Sequence, residues 1–74
     1  YIHPSAQIEN ATIGPNVSIG PGCIIANSQI KETILEKDVE IKDANLHESI
    51  IGERAKISGV SGSMNIGDDA TVVK

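Results

Sequence analysis

Phenylalanine and tryptophan are absent from this sequence and tyrosine occurs once, as Tyr1, so whatever core forms is not filled by aromatic rings. Cysteine also occurs once, as Cys23, which excludes a disulfide framework within the chain and a zinc site of clustered thiolates. A lone thiol fits a reducing compartment, and a cytoplasmic location is expected. Six Lys and Arg stand against ten Asp and Glu, a net charge of −4 and the wrong sign for a surface that neutralises nucleic-acid phosphates. No apolar run approaches the ~18 residues of a membrane-spanning helix, so neither nucleic acid nor membrane is an expected partner. The 74 residues leave room for a single domain, 1–74. The first residue is Tyr1 rather than Met and the opening looks like the middle of a pattern, so the expectation is an excised piece of a longer protein.

What the sequence has in abundance is isoleucine, thirteen of them, and a repeat. Aliphatic residues stand at Ile2, Ile8, Ile13, Ile19, Ile25, Ile30, Leu35, Ile41, Leu46, Ile51 and Ile57, at intervals of five or six. Neither the helical 3.6 nor simple strand alternation gives that spacing. Grouped in threes, these residues define coils that begin at Ile2, Ile19, Leu35 and Ile51, with a partial fifth at Ile66. Self-similarity at a fixed period of this kind marks a solenoid.

Two further columns share the register. Two residues before each aliphatic stands a small or β-branched residue: Ala6, Ala11, Val17, Cys23, Ser28, Thr33, Val39, Ala44, Ser49 and Ala55. Positions two apart on a strand share a face, so both columns point inward. Corners need residues that tolerate positive φ, and Asn10, Asn27, Asp43 and Gly59 supply them at intervals of sixteen to seventeen, with Gly22, Asp38 and Asp69 in a like role after the first side. The agreement predicts an all-β parallel solenoid of about four and a half triangular coils, its strands ~4.8 Å apart and essentially free of helix.

The units Ile13-Gly14-Pro15-Asn16-Val17-Ser18 and Ile19-Gly20-Pro21-Gly22-Cys23-Ile24 resemble the hexapeptide repeat of left-handed parallel β-helix proteins. The hand is implied by that resemblance alone, since parallel crossovers are right-handed in ~98% of cases. Asn10-Ala11-Thr12-Ile13, Asn27-Ser28-Gln29-Ile30 and Glu48-Ser49-Ile50-Ile51 resemble the N-S-x-I variant found in C-terminal domains of sugar-phosphate nucleotidyltransferases. The tail Met64-Asn65-Ile66-Gly67-Asp68-Asp69-Ala70-Thr71-Val72 is similar to the L-N-I-G-D-x-S-x-V ending of long-form glucose-1-phosphate thymidylyltransferases, with Met64 and Ala70 as departures. The resemblance implies a parent enzyme whose N-terminal catalytic domain joins a nucleoside triphosphate, dTTP in the thymidylyl case, to a sugar 1-phosphate such as glucose 1-phosphate and releases pyrophosphate. It implies magnesium for that domain. Neither its glycine-rich loop nor its metal-binding aspartates match a position here, so no catalytic, cofactor or metal residue is assigned within 1–74, and the expected role is non-catalytic assembly and regulation. Two alternatives belong to other classes: a fragment of a hexapeptide acyltransferase, and a structural or carbonic-anhydrase-like trimer.

The candidate site residues are few. His3 and His47 each follow an inward aliphatic, point outward and lie on different sides, so they cannot share a metal within one chain. Cys23 occupies the inward small slot, where an apolar environment raises a thiol pKa and leaves it inert. The stretch Gly59-Val60-Ser61-Gly62-Ser63 is irregular, with Gly62 where an aliphatic belongs, and is expected to break the last full coil; a regulator-binding loop is the alternative. Ile34 and Ile50, sixteen apart, point outward and stack on one side of adjacent coils, with Ser18 and Asn65 in equivalent places. They form an apolar stripe, expected on the third side of coils two and three and flanked by Lys31 and His47. These four are the candidate interface, facing either another copy in a homo-oligomer or the parent's catalytic domain.

Overall fold

A computed structural model describes residues 1–73. Ile2 makes an isolated parallel bridge to Ile19, and the first coil continues through β1 (Gln7–Glu9) and β2 (Thr12–Ile13). The second carries β3 (Ser18–Ile19), β4 (Ile24–Ala26) and β5 (Gln29–Lys31), and the third β6 (Ile34–Leu35), β7 (Glu40–Lys42) and β8 (Asn45–His47). The fourth carries β9 (Ile50–Ile51), β10 (Lys56–Ser58) and β11 (Ser61–Gly62), and the last β12 (Asn65–Ile66) and β13 (Thr71–Val73). No helix occurs among the described residues. Every pairing is parallel, and three sheets result: β3-β6-β9-β12, β1-β4-β7-β10-β13 and β2-β5-β8-β11. The architecture is a left-handed parallel β-helix of triangular cross-section.

Such short strands persist because each rung bonds the next. The Ile34 N–H donates to the Ser49 carbonyl at 2.9 Å, the Ile24 N–H to that of Val39 at 2.8 Å and the Gln29 N–H to that of Ala44 at 2.9 Å. Inside, the two inward columns interleave: Ile19, Ile25, Ile30, Leu35, Ile41, Leu46, Ile51 and Ile57 are buried, as are Val17, Cys23, Ser28, Thr33, Val39, Ala44, Ser49 and Ala55. Removing each large aliphatic from water contributes about 1.5–3 kcal/mol, which sustains a core without rings. The inward column breaks down at the first coil, where Ile2 and Ile8 are exposed, because among the described residues no strand lies beneath them.

The corners turn on left-handed backbone. Asn10, Asn27, Asp43 and Gly59 have φ of 50°, 52°, 52° and 71°, and Gly22, Asp38 and Asp69 have 74°, 58° and 60°. Arg54 (59°) completes the latter column, while Asn16, Glu32 and Glu48 (59°, 50° and 46°) form a third corner that the sequence pattern did not reveal, since Asn16 alone in it is of a type that visits this region readily. Stacking at the corners is tight. A Cβ on Gly20 would lie 2.7 Å from the Glu36 carbonyl oxygen of the next coil, so only glycine fits there.

One expectation is corrected. Residues 59–63 neither break the coil nor form a loop: β11 pairs with β8, Ser61 beside Asn45 and Gly62 beside Leu46. The rung's backbone bonds do not need the missing side chain, so the strand forms although Gly62 supplies no inward group. Val60, Met64 and Ile66 pack against the core around it, half-buried.

Candidate interaction surface

The outward side chains of the β3-β6-β9-β12 sheet form one column, because the parallel register sets Ser18 beside Ile34, Ile34 beside Ile50 and Ile50 beside Asn65. Ile34 and Ile50 are 45% and 50% exposed, so the apolar pair sits on the surface of a rigid sheet, inward neighbours Leu35 and Ile51 being buried. The stripe lies on the first side of the prism rather than the third. Lys31 and His47 pair with each other on the neighbouring sheet. The corner at Glu32 and Glu48 separates them from the stripe, so they do not flank it in one plane.

Glu36, Lys37 and Glu53 are charged residues that share the Ile34 face, and Lys37 and Glu53 are also sixteen apart. With Tyr1, His3, Ser18 and Ile34 they line an open hollow of about 390 Å³. The Lys37 ammonium stands 4.0 Å from the Glu53 carboxylate, which also accepts from Arg54 at 3.1 Å. Their spacing repeats that of the Ile pair and was the signal available in the sequence. A second hollow of about 440 Å³, lined by Asn27, Gln29, Asp43, Asn45 and Ser61, presents amides, a carboxylate and a hydroxyl.

The other reactive side chains are tied into the scaffold. The His3 Nδ1 accepts from the Ser5 N–H at 3.1 Å and lies 2.9 Å from the Ser5 hydroxyl, whose oxygen accepts from the Gly22 N–H of the next coil at 3.0 Å. Cys23 is buried with its thiol donating to the Glu36 carbonyl at 3.0 Å, and burial pushes that thiol up from its ordinary pKa. Arg54 holds Asp69 in a two-pronged pair, Nε to Oδ1 at 2.6 Å and a terminal nitrogen to Oδ2 at 3.0 Å, so the guanidinium keeps the Asp69 carboxyl below the usual carboxylate range. Among the described residues no group of three or more His, Cys, Asp and Glu is placed to hold a metal ion.

The repeat, the triangular coil and the tail belong together, and a family model described as GMPPB C-terminal domain matches residues 1–74. The chain belongs to that family. The GMPPB C-terminal domain family is a sugar-phosphate nucleotidyltransferase one, in keeping with the resemblance of the Asn-Ser-x-Ile units. Among solved structures, the acetyltransferase domain of PglB from Neisseria gonorrhoeae FA1090 is 24% identical over 96% of this chain and 47% of its own, with a TM-score of 0.43. A mutant GDP-perosamine N-acetyltransferase from Caulobacter crescentus, in complex with CoA and GDP-perosamine, is 21% identical over 99% of this chain and 52% of its own, with a TM-score of 0.47. The chain thus spans about half the length of the solved chains it matches. Among curated proteins nothing matches it.

Proposed function

We propose that this GMPPB C-terminal domain is a non-catalytic assembly and regulatory module of a cytoplasmic sugar-phosphate nucleotidyltransferase. The observation that carries the reading is the family match over 1–74 together with an exposed, stacked isoleucine pair on a rigid sheet. Exposed apolar residues aligned in a row favour burial against another surface. The chemistry belongs to a catalytic domain preceding this one in the parent: an oxygen of the sugar 1-phosphate attacks the α-phosphorus of a nucleoside triphosphate, the bond to the β-phosphate oxygen breaks, and pyrophosphate leaves. The tail Met64–Val72 supports dTTP and glucose 1-phosphate as the pair used. Magnesium belongs with that domain, as the resemblance of the tail Met64–Val72 implies.

The test compares three proteins supplied with magnesium, glucose 1-phosphate and each common nucleoside triphosphate in turn. The 74-residue chain should release no pyrophosphate, the full-length parent should release it with dTTP, and the parent trimmed of residues 1–74 should sediment with fewer copies per assembly. Pyrophosphate from the chain alone refutes the non-catalytic role, and an unchanged number of copies per assembly after trimming refutes the assembly role.

A further inference from the structure

We propose that the β3-β6-β9-β12 face is a two-fold self-association surface, with the axis running parallel to the strands between β6 and β9. The inference rests on the assembly reading and names its partner, a second copy of this chain. A two-fold axis in that position inverts the order of rungs and leaves each position along the strand unchanged. Ile34 of one copy then meets Ile50 of the other, Ser18 meets Asn65, and Lys37 meets Glu53, each contact occurring twice because the interface is isologous. Shifting the axis by half a rung in either direction sets Ile34 on Ile34 and Lys37 on Lys37, or Ile50 on Ile50 and Glu53 on Glu53. Turning it along the solenoid keeps each rung opposite itself and reverses position along the strand, so Ile34 meets Ile34 and Lys37 no longer meets Glu53. Only the register centred between β6 and β9 joins both isoleucine pairs and both opposite-charge pairs.

The fit extends to shape and size. The parallel rungs of this sheet present their outward side chains in straight columns. The molecule measures 27 × 20 × 19 Å between its extreme Cα atoms, so one face offers on the order of 500 Å² per copy and about 1,000 Å² in total, the lower bound for a specific interface. Affinity should therefore be modest and sensitive to charge. Glu32 and Glu48, which the same axis brings toward each other, stand at the prism edge outside the strip, where salt screens their repulsion.

The test is a charge exchange read by sedimentation equilibrium at about 0.15 M salt, where the repulsion at the prism edge is screened. The unmodified chain should form a concentration-dependent dimer. Lys37→Glu alone and Glu53→Lys alone should each weaken it by about tenfold or more, since each places two like-charge contacts in the dimer. Mixed together, the two variants should recover a heterodimer, because every contact then joins opposite charges while within each chain positions 37 and 53 still repel. That recovery separates contact between copies from the contact inside one chain. Ile34→Glu with Ile50→Glu should abolish the dimer and leave the circular dichroism of the fold intact. A chain that stays monomeric to about 1 mM overturns the inference, as does a dimer that these variants do not weaken or a mixture that fails to recover. If association persists through all variants, the assembly reading stands and this face is excluded from it; if the parent loses nothing on trimming, the assembly reading itself falls.

Discussion

Ser28, Thr33 and Ser49 show how a hydroxyl survives in an aliphatic prism. Each donates to the carbonyl two residues earlier, at 2.7, 2.8 and 2.8 Å, and Ser28 and Ser49 also accept from the next coil, from the Ala44 N–H at 3.2 Å and the Met64 N–H at 3.0 Å. A buried polar group without a partner costs about 1–3 kcal/mol, and among the described residues no buried side-chain polar atom is left in that state. The aliphatic neighbours permit no such arrangement for a charge. Ile41 is fully buried, so Ile41→Asp should lower stability by at least about 3 kcal/mol, the cost of an unpaired buried carboxylate. Glu40→Ala, one residue away, should change it by less than about 1 kcal/mol, since the Glu40 side chain faces solvent and its 3.9 Å pair with Lys56 is exposed. Urea denaturation of both variants checks the contrast, and equal losses would show that the two residues do not face opposite ways.

At the scale of the elements, corners rather than strands set the geometry, because the strands are only two or three residues long. Their columns were legible where the residue types favour left-handed backbone, as at Asn10, Asn27, Asp43 and Gly59. They were not legible at Glu32, Glu48 and Arg54, where the rungs above and below impose the turn on residues that pay a local cost for it. The corner formed by Gly22, Asp38, Arg54 and Asp69 adds an ion pair to this ladder, which makes its contribution dependent on pH. The Asp69 carboxyl is held below its unfolded pKa of about 3.9, so its pairing stabilises the fold above that value and is lost as pH falls through the lower folded one. Arg54 is shifted upward and stays charged throughout, so only the acid limb responds. Thermal melts of Asp69→Asn between about pH 6 and pH 2 should lose part of the acid-side slope shown by the unmodified chain, by a small amount because both groups are solvent-exposed. An identical slope in the two proteins would remove the pair from the account.

At the scale of the whole molecule, each coil touches only the coils above and below, so stability should be graded along the axis. Amide exchange should be slowest for Ile24, Ile34 and Glu40, which bond between fully packed rungs, and fastest for His3 and Gln7 in the first coil, where Ile2 and Ile8 lie exposed. Uniform protection from the first coil to the fourth would contradict a molecule held by nearest-neighbour stacking. The sequence by itself determined the period, the inward columns and the absence of helix, because a parallel rung repeats the same environment every sixteen or so residues and leaves its mark at each pass. It also placed the outward pair Ile34 and Ile50, whose separation is one coil. The tertiary structure decided which sheet carries that pair, that Lys37 and Glu53 rather than Lys31 and His47 share its face, and that Gly62 sits in a strand. Those outcomes depend on where three corners fall and on hydrogen bonds between coils. A backbone can continue such bonds through a residue whose side chain, read alone, signals a break.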